Sequence, residues 1–375
     1  LLRPEVLALH AYHVPPASGM IKLDAMENPY PLPQHLREEL GARLAGVALN
    51  RYPPSYASLQ QAICANLGVP AGYDVMLGNG SDELISILAM ACARQEPGQR
   101  AVLLAPVPAF VMYARSAQFA GMDFVGVPLQ ADFSLDMDAM LAAIEEHRPA
   151  LVFLAYPNNP TGAIMTREDL LAIADFAQKH DLIVISDEIY GDLTYGGEAH
   201  ICFSSLPHMQ ERTLLLNGFS KAYAMTGWRI GYALGAPEII AAMTKIHQYT
   251  MLCAPITAQL AAIEALRHGE KYMKKMVAEY DRRRRLIYEG FMKMGLNCFE
   301  PKGAFYIFPD ITSTGYTSEE FAEKLLEAEH VALVPGSAFG DCGEGHVRCS
   351  YATSVDKISE ALARIENFVR HHKKA

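Results

Sequence analysis

Between residues 75 and 235 short apolar runs alternate with segments of helical spacing, and this constrains the chain more than any other feature. The runs fall at 101–105, 124–128, 151–155, 182–186, 213–217 and 230–234. Strands that are apolar on both faces must be covered on both sides, and strands joined through helices run parallel. The expected fold class is therefore α/β, with a mostly parallel sheet between helices. One covering helix is marked by Thr166 and Asp169 at capping-box spacing, followed by Leu170, Ile173, Ala174 and Ala177 on one face.

Beyond residue 255 the pattern changes. A longer helical stretch spans 272–288 and contains four consecutive arginines at 282–285, expected to form a solvated helix face. Short strands follow near 304–308, 331–334 and 346–350, and Ile358, Leu362, Ile365 and Val369 mark a closing helix. A second, smaller α+β unit is implied. The expected division is 1–35 as an N-terminal arm and part of the small domain, 36–255 as the large domain, and 256–375 as the small domain. A chain of 375 residues, 51% of them hydrophobic, has enough apolar material for two such units around a shared cleft.

The net charge of −10 disfavours nucleic acid and anionic membrane as partners, because both require a basic face. No apolar run reaches membrane-spanning length and no basic-then-apolar leader opens the sequence, so a cytoplasmic location is expected. Because the first residue is Leu1, the native start is expected to lie upstream. The seven cysteines lack CxxC or metal-ligand spacing and are expected as reduced, packed thiols. The acidic residues form no metal-like cluster, and no metal is expected.

Chemistry concentrates just past the expected strand ends, where open α/β sheets bind ligands. Lys221 follows Ser220 directly after the 213–217 run, and Arg229 comes eight residues later. A lysine able to form an imine, with a hydroxyl and a guanidinium near enough to hold a phosphate, matches an aldehyde cofactor that carries a phosphate. Pyridoxal phosphate is the cofactor that meets this description. It also needs a carboxylate on its ring nitrogen and a donor near its ring hydroxyl. Asp187 ends an apolar run and is the candidate carboxylate; Tyr190, three residues on, and Asn159 in Asn158-Asn159-Pro160-Thr161-Gly162 are candidate donors to the ring oxygen. Gly80, Ser81 and Asp82 precede an apolar helical stretch beginning near Leu84, where free backbone N–H groups can cradle the phosphate. Phe110 is a candidate to stack on the ring. Arg348 lies in an apolar strand pattern where a lone charge is costly, and a substrate carboxylate or phosphate is its natural partner.

Taken in order, Asn-Pro-Thr-Gly, Asp-x-x-Tyr, Ser-Lys with Arg eight residues later, and the late Arg348 resemble the fold-type I, class I/II pyridoxal-phosphate aminotransferases over nearly the whole chain. The resemblance implies that Lys221 forms the Schiff base and moves the substrate proton, and that Arg348 binds the substrate's acidic group, with Asn159 beside it. It also implies that Tyr52, in Arg51-Tyr52-Pro53, reaches the cofactor and substrate of the partner subunit in a homodimer. Its substrates would be an amino donor and a 2-oxo acid, with glutamate and 2-oxoglutarate as one pair. The N-terminal half, through Glu27-Asn28-Pro29, Arg51-Tyr52-Pro53 and Gly80-Ser81-Asp82-Glu83, is similar to histidinol-phosphate aminotransferases. The half after Pro160, through 219–232, Lys302-Gly303-Ala304-Phe305-Tyr306 and 335–339, is similar to aspartate and aromatic aminotransferases. A mosaic, natural or engineered, would account for both. A carbon–sulfur lyase or decarboxylase on the same scaffold is the alternative enzyme class, and an effector-binding sensor a third, disfavoured by the acidic charge and the lack of a DNA-binding segment before residue 30.

Overall fold

The computed structural model describes residues 2–9, 19–53, 57–94 and 99–372. Its strands are β1 (Ile21–Lys22), β2 (Asp74–Gly78), β3 (Val102–Val107), β4 (Asp123–Pro128), β5 (Leu151–Ala155), β6 (Val184–Asp187), β7 (Thr213–Gly218), β8 (Gly231–Gly235), β9 (Tyr306–Ile307), β10 (Val331–Ala332), β11 (Val334–Pro335) and β12 (Val347–Ser350). The helices are α1 (Pro4–Leu7), α2 (Gln34–Ala45), α3 (Ala57–Leu67), α4 (Ser81–Cys92), α5 (Met112–Ala120), α6 (Met137–His147), α7 (Arg167–Lys179), α8 (Pro237–Thr250), α9 (Ile256–His268), α10 (Glu270–Lys293), α11 (Ser318–Glu329) and α12 (Val355–His371).

Seven strands form the central sheet in the order β2-β8-β7-β6-β5-β3-β4. Strands β3 to β7 are mutually parallel, and β8 runs antiparallel to both its neighbours. All six apolar runs of the sequence are strands of this sheet; β2 is a seventh. Its two faces are buried under separate apolar clusters, one including α4, α5 and α8 with Leu103, Phe153 and Leu216, the other including α7 with Leu104, Leu154 and Val184. Helix α7 opens with the Thr166–Asp169 capping box in both directions.

This topology gathers one end of the sheet into a site. The carboxyl ends of β3, β5, β6 and β7 point the same way. Because β8 is reversed, its first residue lies at that end too, and so does the last residue of β2, with Gly78, Gly231 and Gly218 aligned across the three strands.

Helices α10, α11 and α12 pack with β9, β10 and β12 around a further cluster that includes Ile287, Phe321, Tyr306 and Phe368. The strand order there is β11-β12-β9, antiparallel throughout. Strand β1 pairs in parallel with β10, Ile21 against Val331, which leads the segment after residue 22 toward the sheet end.

Three expectations need correction. The 331–334 run is two strands, since the chain changes partner at Leu333: β10 pairs with β1, and β11 with β12. Helix α4 starts at Ser81, three residues before the apolar signal, because its first turn is polar (Ser81, Asp82, Glu83) and the two acids suit a helix N-terminus. The arginine run is only half solvated. Arg283 and Arg284 are buried: Arg283 donates to Ala352 O at 2.7 Å, and Arg284 to Glu300 at 2.6 Å and Pro301 O at 3.1 Å. Helical periodicity turns these two inward while Arg282 and Arg285 stay exposed.

Candidate active site

A cavity of about 410 Å³ opens at the carboxyl end of the sheet. Nine of the residues singled out in the sequence line it: Ser81, Asp82, Phe110, Asn159, Asp187, Tyr190, Ser220, Lys221 and Arg229. They arrive from the ends of β2, β3, β5, β6 and β7 and the start of the reversed β8, so the sheet topology brings together residues up to 148 positions apart. A groove of about 600 Å³ between α2, α9 and α10 is larger, but none of these nine residues lines it.

At the floor lies Lys221. Burial pushes its amine down from the usual lysine range to about 8, the nearby Arg348 and Arg229 charges adding to the effect while Asp82 opposes it. Its Nζ sits 5.9 Å from the ring centroids of both Tyr190 and Phe305. A buried lysine with a depressed pKa is the state in which an amine attacks an aldehyde.

To one side, Gly80 at φ +87° turns the chain into α4, and a Cβ built there would come 2.6 Å from Arg229 Nη2. The backbone angle favours glycine, and a Cβ there would also have to push the guanidinium aside. Arg229 itself adopts φ +53° and donates to Asp82 at 3.1 Å and to Thr226 O at 3.2 Å. Left-handed backbone at an arginine is strained and is kept where the surroundings impose it. Glu83 braces the loop from behind, accepting from the Asn79 amide N–H at 2.6 Å and from its side chain at 2.9 Å.

Asp187 is buried and its carboxyl is pushed up to about 6 by that burial, against the opposing hydrogen bond from Tyr113. Tyr190 and Tyr306 share a hydrogen bond through their hydroxyls. Arg348, 3% exposed, donates from Nη1 to Asn159 Oδ1 at 2.9 Å and from Nη2 to Asp24 O at 3.2 Å, while its Nε has no partner among the described residues. Its guanidinium is stacked 4.5 Å from the Tyr306 centroid and 4.9 Å from Phe339. Tyr52 does not join this group: it is 79% exposed and lines no part of the cavity within the chain.

Residues 18–365 match the family Aminotransferase class I and II. The chain belongs to that family. An aspartate aminotransferase of Pyrococcus abyssi is 41% identical over 372 residues, covering 95% of this chain and 94% of the relative. A histidinol-phosphate aminotransferase of Burkholderia lata is 51% identical over 250 residues, 66% of each chain. Among solved structures, an aromatic aminotransferase from Pyrococcus horikoshii superposes with a TM-score of 0.88 at 38% identity, covering 98% of both chains. The fold is accordingly that of the fold-type I enzymes, and this aminotransferase is a pyridoxal-phosphate-dependent transaminase.

The cavity fits that cofactor on its own geometry. The cramped glycine at 80, the first N–H groups of α4 and the Arg229 fork make an anion cradle. The amine of Lys221 and the carboxylate of Asp187 face the same space. Among the described residues no group of three or more His, Cys, Asp or Glu side chains is arranged to hold a metal ion, and no helix is long and apolar enough to cross a membrane.

Several residues at this aminotransferase's cavity escaped the sequence reading. Tyr113 lines the cavity and lies three positions after Phe110, and Tyr306, in the Ala-Phe-Tyr run, stands behind the lining Tyr190; neither was assigned a role. Lys22, Asp24 and Met26 reach the rim through the β1–β10 pairing, which no local pattern announces.

Proposed function

We propose that this transaminase moves an amino group between an amino donor and a 2-oxo acid, with glutamate and 2-oxoglutarate as one pair and histidinol phosphate or an aromatic amino acid as the favoured partner. The observation that carries the reading is Arg348: a buried guanidinium with an unpartnered Nε beside the cavity, suited to an α-carboxylate or a phosphate ester. Aspartate as the main donor is disfavoured by the lining charges. Lys22 is paired with Asp24 at 3.0 Å and Arg229 with Asp82, while Glu27 and Asp187 add negative charge, so a second carboxylate meets no unpaired cation among the described residues that line the cavity apart from Lys221 itself. A neutral ring meets no such penalty.

Bound pyridoxal phosphate supplies an aldehyde for the amine and a sink for the electrons released at the substrate Cα. Lys221 holds the cofactor and, once displaced by the donor, carries the proton between the substrate Cα and the cofactor C4′ as base and then acid. Asp187 holds the proton on the ring nitrogen. Asn159 and Tyr190 donate to the ring oxygen, and Phe110 lies against the ring. Gly80, Ser81, Ser220 and Arg229 bind the phosphate, with Asp82 orienting Arg229. Tyr52, exposed here together with Leu49 and Tyr249, is delivered to the cavity of a second copy in a homodimer. The enzyme acts in the cytoplasm, in keeping with a chain that carries no apolar membrane-crossing helix among its described residues.

The deciding experiment is a set of half-reactions. The cofactor-loaded protein is mixed separately with histidinol phosphate, an aromatic amino acid, aspartate and glutamate, and conversion of the visible band to the amine form of the cofactor is followed. Conversion by glutamate and by one of the ring-bearing donors is expected. Conversion by aspartate alone would refute the favoured specificity, and release of ammonia with a keto acid from a cysteine-type substrate would point to a lyase.

A further inference from the structure

Asp187 receives hydrogen bonds from two groups among the described residues. The Ile189 N–H approaches Oδ1 at 3.3 Å, a long contact, whereas the Tyr113 hydroxyl donates to Oδ2 at 2.7 Å. Tyr113 is buried and is held by its ring: it stacks on Phe153 with centroids 4.6 Å apart and planes at 23°, and meets Phe110 edge-on at 6.0 Å and 89°. Its hydroxyl therefore has little freedom. The other titratable groups around Asp187 are Asp82 from α4 and Glu188 and Tyr190 beyond β6, and the two carboxylates oppose its negative charge.

We propose that Tyr113 is a positioning residue for transamination, fixing the Asp187 carboxylate against the cofactor's ring nitrogen and keeping its negative charge there, while its ring braces Phe110. The proposal rests on the assignment of pyridoxal phosphate to this cavity. A carboxylate buried among other acids loses charge readily, and a hydrogen bond to its ionised form opposes that loss. With Tyr113 present, Asp187 stays anionic and the ring nitrogen stays protonated. Without it, proton and charge are redistributed and the ring draws electrons less strongly from the substrate Cα.

The test is the Tyr113→Phe variant loaded with cofactor labelled with ¹⁵N in the ring, the nitrogen chemical shift being followed against pH. Phenylalanine keeps the stack on Phe153 and deletes only the donor. The pH midpoint of ring-nitrogen protonation is expected to fall by about 1–2 units, the size of a hydrogen bond to a charged group, and kcat to fall roughly tenfold or more with KM little changed. Phe153→Leu serves as the packing control: it should lower thermal stability and leave the midpoint in place. An unchanged midpoint in Tyr113→Phe would overturn the proposal, as would an equal shift in Phe153→Leu, which would make the effect one of packing. Should Tyr113→Phe not fold, 3-fluorotyrosine introduced at position 113 alone reads the same bond through its more acidic hydroxyl; a midpoint that stays put counts against the proposal. If the wild-type protein took up no cofactor, the assignment underneath would fail instead, so the two failures are distinct.

Discussion

Arg348 on β12 and Asn159 in the turn after β5 are joined by a hydrogen bond of 2.9 Å, so the C-terminal sheet and the central sheet meet at the wall of the cavity, where Asn159 lines it and Arg348 stands behind, through a guanidinium and an amide. In the proposed function one end of this bond faces the substrate's acidic group and the other the cofactor's ring oxygen. The forked geometry matters because one nitrogen is spent on Asn159, one on Asp24 O, and Nε remains. Arg348→Lys should therefore lose much of the effect even though the charge is kept. We expect kcat/KM for the amino donor to fall about a hundredfold or more in Arg348→Ala and roughly tenfold or more in Arg348→Lys, with cofactor affinity nearly unchanged. Steady-state kinetics beside a cofactor titration check it; equal losses in both measurements would place Arg348 in cofactor binding instead.

Lys221 sets a pH dependence of cofactor capture. Only the neutral amine attacks the aldehyde, and burial lowers its pKa to about 8, so the neutral fraction rises with pH up to that value and then levels. At pH 7 roughly one amine in ten is neutral, against about one in several thousand for an ordinary lysine. The rate of covalent capture by cofactor-free protein should climb about tenfold per pH unit below 8 and flatten above it. Lys221→Ala should still bind cofactor without a borohydride-stable link and should show no turnover; transamination at the wild-type rate would remove the lysine from the reaction.

Gly80→Ala should weaken cofactor binding without unfolding the protein. The substitution places a methyl group 2.6 Å from Arg229 Nη2 at a backbone angle of +87°, so either the loop or the arginine must move. Strain of this kind costs on the order of 1–3 kcal/mol, corresponding to about a five- to 150-fold rise in the cofactor dissociation constant where it falls on the bound state. Fluorescence titration of the cofactor-free protein measures it, and an unchanged constant would mean that the arginine is not part of the phosphate site.

How much of this was legible in the sequence follows from how local each signal is. Thr166 and Asp169 announced α7 because a capping box is complete within four residues. The strand ends that carry Asp187 and Lys221 were visible because buried parallel strands are continuous apolar runs. The burial of Arg283 could not be read from its neighbours: Glu279, one turn back, is a partner any exposed helix face offers, whereas Ala352 O, which it also reaches, lies 69 residues on. Asp24 and Met26 were missed for the same reason, the pairing of Ile21 with Val331 being a property of the fold. Tyr52 lies at the surface of its own chain, and a residue proposed to act in a second copy leaves no trace in its own cavity.

Asp187 is held against its own stability, which yields the last prediction. Burial raises its pKa from 3.8 to about 6, so between pH 4 and 6 the folded protein binds more protons at this site than the unfolded chain. By linkage its contribution to stability is complete below pH 4 and is lost as pH rises through 6. Above that the buried charge in the cofactor-free protein costs on the order of 2–3 kcal/mol. Asp187→Asn removes the charge and keeps an oxygen for the Tyr113 hydroxyl. The cofactor-free variant should therefore melt several degrees higher than the wild type at pH 7 and show little difference at pH 4, while the loaded variant loses most of its activity because an amide cannot hold a proton on the ring nitrogen. Thermal melts at the two pH values and a single activity assay suffice. A variant less stable than the wild type at pH 7 would mean that the folded protein already compensates this charge, and that catalysis at Asp187 carries no cost in stability.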